Sequence, residues 1–202
     1  MKKLLKHKGI VLPLDISNVD TDVIIPKQFL QIVNRNGLGK YLFYNWRFLK
    51  DDINKLNYNF VINKIEFKNS SILLTRNNFG CGSSREHAVW SLLDFGFKVI
   101  ISTSFADIFY NNALNNHLIP IVLKEKIIKK LFVLVYKNPG IKFTINLQKC
   151  LIIINKFNLK YSFSINKFQL YNLINKLDHI NLTMKYEKKI KDYENKQLKY
   201  IF

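Results

Sequence analysis

Between Ser71 and Gly140, short apolar runs alternate with helix-length stretches, and this rhythm restricts the possible folds more than any other feature of the chain. The runs are Ile72-Leu73-Leu74, Val99-Ile100-Ile101 and Ile119-Pro120-Ile121-Val122-Leu123. Ser84 to Phe95, Ser104 to Asn115 and Lys124 to Tyr136 read as the helices between and after them. Gly96 suits the left-handed close of the first helix, and Pro139-Gly140 stops the third. Such spacing predicts stacked β–α units with some parallel pairing. Upstream, Ile10-Val11-Leu12 reads as a short buried strand stopped by Pro13. Asp15 to Asp22 is rich in residues that bond their own backbone and so favour turns, and Pro26 opens a short helix through Leu30. Residues 31–58 read as short helix and loop with a heavy aromatic load, mostly core or subunit contact.

After Gly140 the period changes. Ile141, Phe143, Ile145 and Leu147 alternate with polar residues, as do Leu159, Tyr161, Phe163 and Ile165, with Cys150 to Ile154 between them. That is the pattern of a half-buried antiparallel meander. Helix returns at Asn166 to Leu177, and Tyr186, Ile190, Tyr193 and Tyr200 mark one face of a last helix expected to dock on its own domain. The expected fold class is α/β, one compact domain with a mixed sheet, β–α units followed by the meander, and C-terminal helices.

Composition narrows the function. Of 202 residues, only two are Cys, Cys81 and Cys150, too few for a disulfide scaffold or for the four ligands of a structural zinc or iron–sulfur site. No run approaches the ~18 apolar residues of a membrane span, and Met1 to Lys8 has no apolar run behind it for a signal peptide. A soluble, cytoplasmic protein is expected, with no membrane partner. Thirty-two Lys and Arg against fourteen Asp and Glu give a formal charge of +18. A basic surface fits nucleic acid. However, the excess is scattered Lys, accompanied by abundant Asn, Ile, Phe and Tyr, while Arg occurs only at positions 35, 47, 76 and 85. Compositional drift therefore accounts for the charge better than an RNA-binding role, which stands as the alternative of a different class.

Chemistry concentrates in Asn78-Phe79-Gly80-Cys81-Gly82-Ser83-Ser84-Arg85-Glu86-His87-Ala88. Gly80, Cys81 and Gly82 are expected to turn their amides into an anion nest between strand and helix. Ser83 and Glu86 fit a capping box, which would set two hydroxyls and the Arg85 guanidinium on the first helical turn. Capping alone accounts for the serines, whereas Arg85 beside them is what a carboxylate ligand needs. Cys81 reads as a small residue filling a tight turn ahead of a thiolate, and His87 as a packing hydrogen-bond partner ahead of a proton carrier. Asp20-Thr21-Asp22 offers too few oxygens for a hard cation, and His7, His117 and His179 are dispersed, so no metal site is expected.

Gly80 to Ala88 resembles the swivelling domain of the aconitase superfamily. Gly9 to Asp15, Asn18 to Leu30, Trp46 to Leu49, Ser104 to Asn112, Asn138 to Ile141 and Leu182-Thr183 resemble the small-subunit family of bacterial 3-isopropylmalate dehydratases, essentially end to end. The resemblance implies one swivelling-type β/β/α domain over 1–202, with its core at 9–165 and C-terminal helices at 166–202. It also implies a hydro-lyase of leucine biosynthesis that interconverts 2- and 3-isopropylmalate. It further implies a heterodimer with a large subunit that carries a [4Fe-4S] cluster, no cofactor on this chain, and a dicarboxylate substrate bound between the subunits. By the same resemblance Ser83 matches the catalytic base, and Ser84 and Arg85 match carboxylate contacts. The resemblance also places Thr21 and Asp22 near the site entrance, and Phe29, Leu30, Gln31 and Ile32 match a substrate-sorting loop, with a short amphipathic turn packed on the core as the equal alternative. A related dehydratase acting on methylmalate, citraconate or homoaconitate-type acids is the neighbouring alternative.

Overall fold

The computed structural model describes residues 4–50, 52–177 and 179–197. In chain order come β1 (Lys6–Leu14), α1 (Thr21–Ile24), α2 (Tyr44–Arg47), the paired strands β2 (Phe48–Leu49) and β3 (Asp52–Leu56), and β4 (Ile72–Thr75). Then follow α3 (Glu86–Phe95), β5 (Val99–Ser102), α4 (Asp107–Asn115), β6 (Ile119–Val122) and α5 (Glu125–Lys137). The chain ends with β7 (Lys142–Asn146), β8 (Leu151–Ile154), β9 (Leu159–Ser162), α6 (Lys167–Asn175), α7 (His179–Met184) and α8 (Glu187–Gln197). Seven strands form one mixed sheet in the order β6-β5-β4-β1-β7-β8-β9. β1, β4, β5 and β6 run parallel, while β7, β8 and β9 continue from the other side of β1 as an antiparallel meander.

Burial follows the two sequence periods. Every residue of β4 and β5 is buried, as strands covered on both faces must be. β7 and β8 bury alternate residues such as Phe143, Ile145, Ile152 and Ile154.

Pro13 does not stop β1, contrary to the sequence expectation: it pairs with Leu74 inside the strand. Val11 N–H donates to Ile141 on the β7 side, and Pro13, two residues on, faces the same side after the β7 register has ended at Ile10. The ring therefore removes no ladder bond. The same parity admits Pro120 in edge strand β6. Ile119 N–H donates to Lys98 and Leu123 N–H to Ser102, so position 120 faces outward.

Three further expectations are corrected. Residues 31–58 contain the β2–β3 pair, which the aromatic load concealed. α4 begins at Asp107 and not at Ser104, because the Ser104 carbonyl and Ala106 N–H both bond Phe79 and hold that segment extended. The last helix does not dock: α8 has no buried residue and Tyr186 and Tyr193 are exposed. Tyr200 lies outside the described residues. No helix among the described residues is long and apolar enough to cross a membrane.

Candidate active site

Three loops meet beyond the carboxyl ends of β1, β4 and β5, the edge where open α/β sheets hold ligands. Backbone bonds lace them together. Gly80 N–H donates to Val19 (2.8 Å), Thr21 N–H to Cys81 (2.8 Å), Phe79 N–H to Ser104 (3.2 Å) and Ala106 N–H to Phe79 (3.1 Å). Single parallel bridges pair Asp20 with Cys81 and Phe79 with Phe105. The two glycines permit the approach. Gly80 (φ +77°) lies against the Phe109 ring and Gly82 (φ +83°) against the Asp20 carboxylate, and a Cβ at either would collide.

Asp20 caps α1, its Oδ1 accepting from Asp22 N–H at 2.7 Å. Ile25, extended ahead of Pro26, ends that single turn. α1 then presents two side chains to the β4 loop. Thr21 Oγ1 donates to the Ser83 carbonyl at 2.8 Å, and the Asp22 carboxylate pairs with the Arg85 guanidinium. The Arg85 side chain is 16% exposed and that of Asp22 49%, so the pair sits at the margin of the protein with the cation the better sheltered.

The capping box does not form. α3 begins at Glu86, and Arg85 holds the N-cap position without capping it by a side-chain hydrogen bond. The Ser83 carbonyl, which would accept the first helical bond, is engaged by Thr21 instead. The Glu86 carboxylate accepts from Asn116 Nδ2 at 2.6 Å. Ser83 and Ser84 therefore stand exposed in the approach to the helix and not on its first turn. No described residue hydrogen-bonds either hydroxyl. The three-amide nest is also corrected, since the Gly80 amide is committed to Val19.

Thr21, Gly80, Gly82, Ser83, Ser84 and Arg85 line one side of a cleft of about 250 Å³, and the Ala106–Phe109 turn with Asn112 lines the other. The α4 side was not singled out by sequence reasoning: the Ser104–Asn112 block was visible as a motif, but no residue in it is a recognisable ligand type in a recognisable spacing. Cys81 lies outside the lining. Burial, followed by the nearby Asp20 charge, pushes its thiol up, away from a reactive thiolate. Phe29 to Ile32 also lie outside it. Phe29 stacks on Tyr41 (4.0 Å between centroids), and the Ile32 carbonyl lies 3.3 Å from His87 Nε2, which gives His87 its packing partner. Among the described residues, no three His, Cys, Asp or Glu side chains gather to hold a metal ion.

Residues 1–126 match the aconitase C-terminal domain family. The chain is 58% identical over 196 residues to the 3-isopropylmalate dehydratase small subunit of Buchnera aphidicola subsp. Pterocomma populeum, covering 97% of this chain and 94% of that one. It is 52% identical over 202 residues to the small subunit of the same name from Blochmanniella pennsylvanica, across 100% of both. Among solved structures, the crystal structure of 3-isopropylmalate dehydratase from Methanocaldococcus jannaschii matches with a TM-score of 0.65 and 29% identity. It covers 96% of this chain and 99% of that one.

Proposed function

Because the chain belongs to the 3-isopropylmalate dehydratase small-subunit family, within the aconitase C-terminal domain family, we propose that it forms half of that hydro-lyase. With a large subunit it removes water from 2-isopropylmalate and re-adds it to give 3-isopropylmalate. The observation that carries this reading is the cleft, where Ser83, Ser84 and Arg85 stand together at one lip. Residues 1–202 act in it as one swivelling unit in the cytoplasm. In this reading the [4Fe-4S] cluster of the reaction is carried by the large subunit; among the described residues, neither Cys81 nor Cys150 joins a group of three metal-ligating side chains.

In this reading Ser83 is the base that takes the proton α to a carboxylate, and Ser84 and Arg85 hold carboxylate oxygens. A helix N-terminus favours an anion by only ~0.3–2 kcal/mol and the effect fades within a turn. Ser83 precedes α3 by three positions, so the helix alone cannot sustain an alkoxide there. Arg85 and the exclusion of water by a second subunit closing over the exposed serine supply the remainder. Asp22 positions the guanidinium, leaving its other N–H groups for a two-pronged grip on substrate.

The test is reconstitution. The purified chain, mixed anaerobically with its large subunit, is expected to convert isopropylmalate, whereas neither subunit does so alone. Turnover by the isolated chain, or none by the mixture, overturns the reading.

A further inference from the structure

The cleft has two unlike walls. Facing Ser83, Ser84 and Arg85 is the first turn of α4, with Asp107 and Ile108 in the lining. Of the apolar residues there, Phe109 is buried beneath Gly80 and Ala106 is half-buried, while Ile108 is 54% exposed. Ile108 is therefore the apolar side chain with surface to offer a ligand. Asp107 occupies the first turn of its helix, where its charge already offsets the positive end. Among the described residues Arg85 is the one cation in the lining, and Asp22 holds it on the opposite side. Among the described lining residues, a carboxylate placed against α4 would meet the Asp107 charge with only the neutral Asn112 amide and no cation to answer it, whereas an alkyl group would meet Ile108.

We propose that Asp107 and Ile108 sort substrates by the substituent that is isopropyl in isopropylmalate, accepting a branched alkyl group and rejecting a third carboxylate. This rests on the dehydratase reading above and concerns a wall of the cleft that does not include the Phe29–Ile32 loop. The selection is differential: an apolar contact discriminates among alkyl groups by about 10- to 200-fold per methylene, and unanswered charge discriminates against an extra carboxylate.

The experiment uses the full chain assembled with its large subunit and a matched series in which isopropyl is replaced by methyl (2-methylmalate) or carboxymethyl (citrate). Ile108→Ala is expected to lower kcat/KM for isopropylmalate about tenfold and for 2-methylmalate about twofold, which compresses their ratio. Asp107→Asn is expected to tighten competitive inhibition by citrate about tenfold relative to KM for isopropylmalate. Ile108→Val, smaller by one methylene, keeps the first arm decidable if Ile108→Ala weakens assembly. Unchanged ratios in the assembled variants overturn the proposal, as does an effect confined to subunit affinity. Wild-type enzyme that turns over isopropylmalate while both ratios stay fixed sinks this assignment alone. Wild-type enzyme inactive on isopropylmalate sinks the dehydratase reading with it.

Discussion

The parallel and antiparallel halves of the sheet share β1 yet differ in what they do with their edges. β4 and β5 are buried throughout, and the loops after β1, β4 and β5 are tied to one another by backbone bonds and the Thr21–Ser83 and Asp22–Arg85 contacts. The meander buries chiefly one face, with Asn146 buried at the end of the other. On the other, register places Lys6, Lys8, Lys142 and Lys160 together, exposed to solvent. Full coverage forces polar groups out to the strand ends, where loops converge and a site becomes possible. Half coverage disperses them along the strands, where they solvate a surface. The same chain thus spends its polar residues on precision in one half and on solubility in the other.

The widest separation between the halves is expected from Ser83→Ala. Turnover of the reconstituted enzyme should fall by about 10²–10⁴-fold while the melting curve and subunit assembly stay close to wild type. Near-normal turnover would show that Ser83 is not the base.

Two glycines with similar φ sharpen the contrast. An added Cβ at Gly80 meets the Phe109 ring, whereas at Gly140, beside the meander, it comes no closer than 3.4 Å to the Glu66 carbonyl. Gly80→Ala should cost about 2–4 kcal/mol in denaturant unfolding, and Gly140→Ala about 1 kcal/mol from backbone strain alone. Equal costs would mean the site loops are no more tightly packed than the turn at Gly140.

Arg85→Lys replaces a planar fork by a point charge, so KM should rise about tenfold with a smaller change in kcat. Unchanged steady-state constants would remove Arg85 from the substrate contacts.

The smallest expected effect lies at the seam. His7 Nε2 sits 2.8 Å from Ser71 Oγ, and burial, then the nearby Lys98 charge, lowers its pKa below the ordinary 6.5. The unfolded chain therefore takes up the proton first as the pH drops. The contribution of His7 is intact above about 6.5 and is lost as the pH falls through the lowered folded value. Between pH 7 and 5 the wild type should lose about 1–2 °C more in Tm than His7→Gln, a modest amount because the ring is half-exposed. Parallel pH profiles would show that the seam does not titrate.

Much of this architecture was legible because burial leaves a period in the sequence. Ile72 to Leu74 and Val99 to Ile101 are continuous and became doubly covered strands, while Phe143 and Ile145 alternate and became half-covered ones. Where expectation failed, a distant partner had decided. Pro13 was tolerated by the side it faces, a fact held in the length of β7. Ser104 was kept out of α4 by Phe79, and α8 leaves Tyr193 exposed. In the site, the Gly80–Arg85 motif was visible because its residue types are unusual together, whereas Ile108 and Asn112 are ordinary residues that matter only by facing it.

The sequence by itself determined most of the strands and helices outside residues 31–58, because local periodicity is encoded within a few positions, and its motif blocks carried the resemblance to the family. Only the tertiary structure decided that Ser83 precedes its helix instead of capping it, that Asp22 holds Arg85, and that Asp107 and Ile108 form the opposing wall. Each depends on groups about 20 to 60 residues apart meeting across three loops, a juxtaposition fixed by sheet order and close packing that no local pattern records.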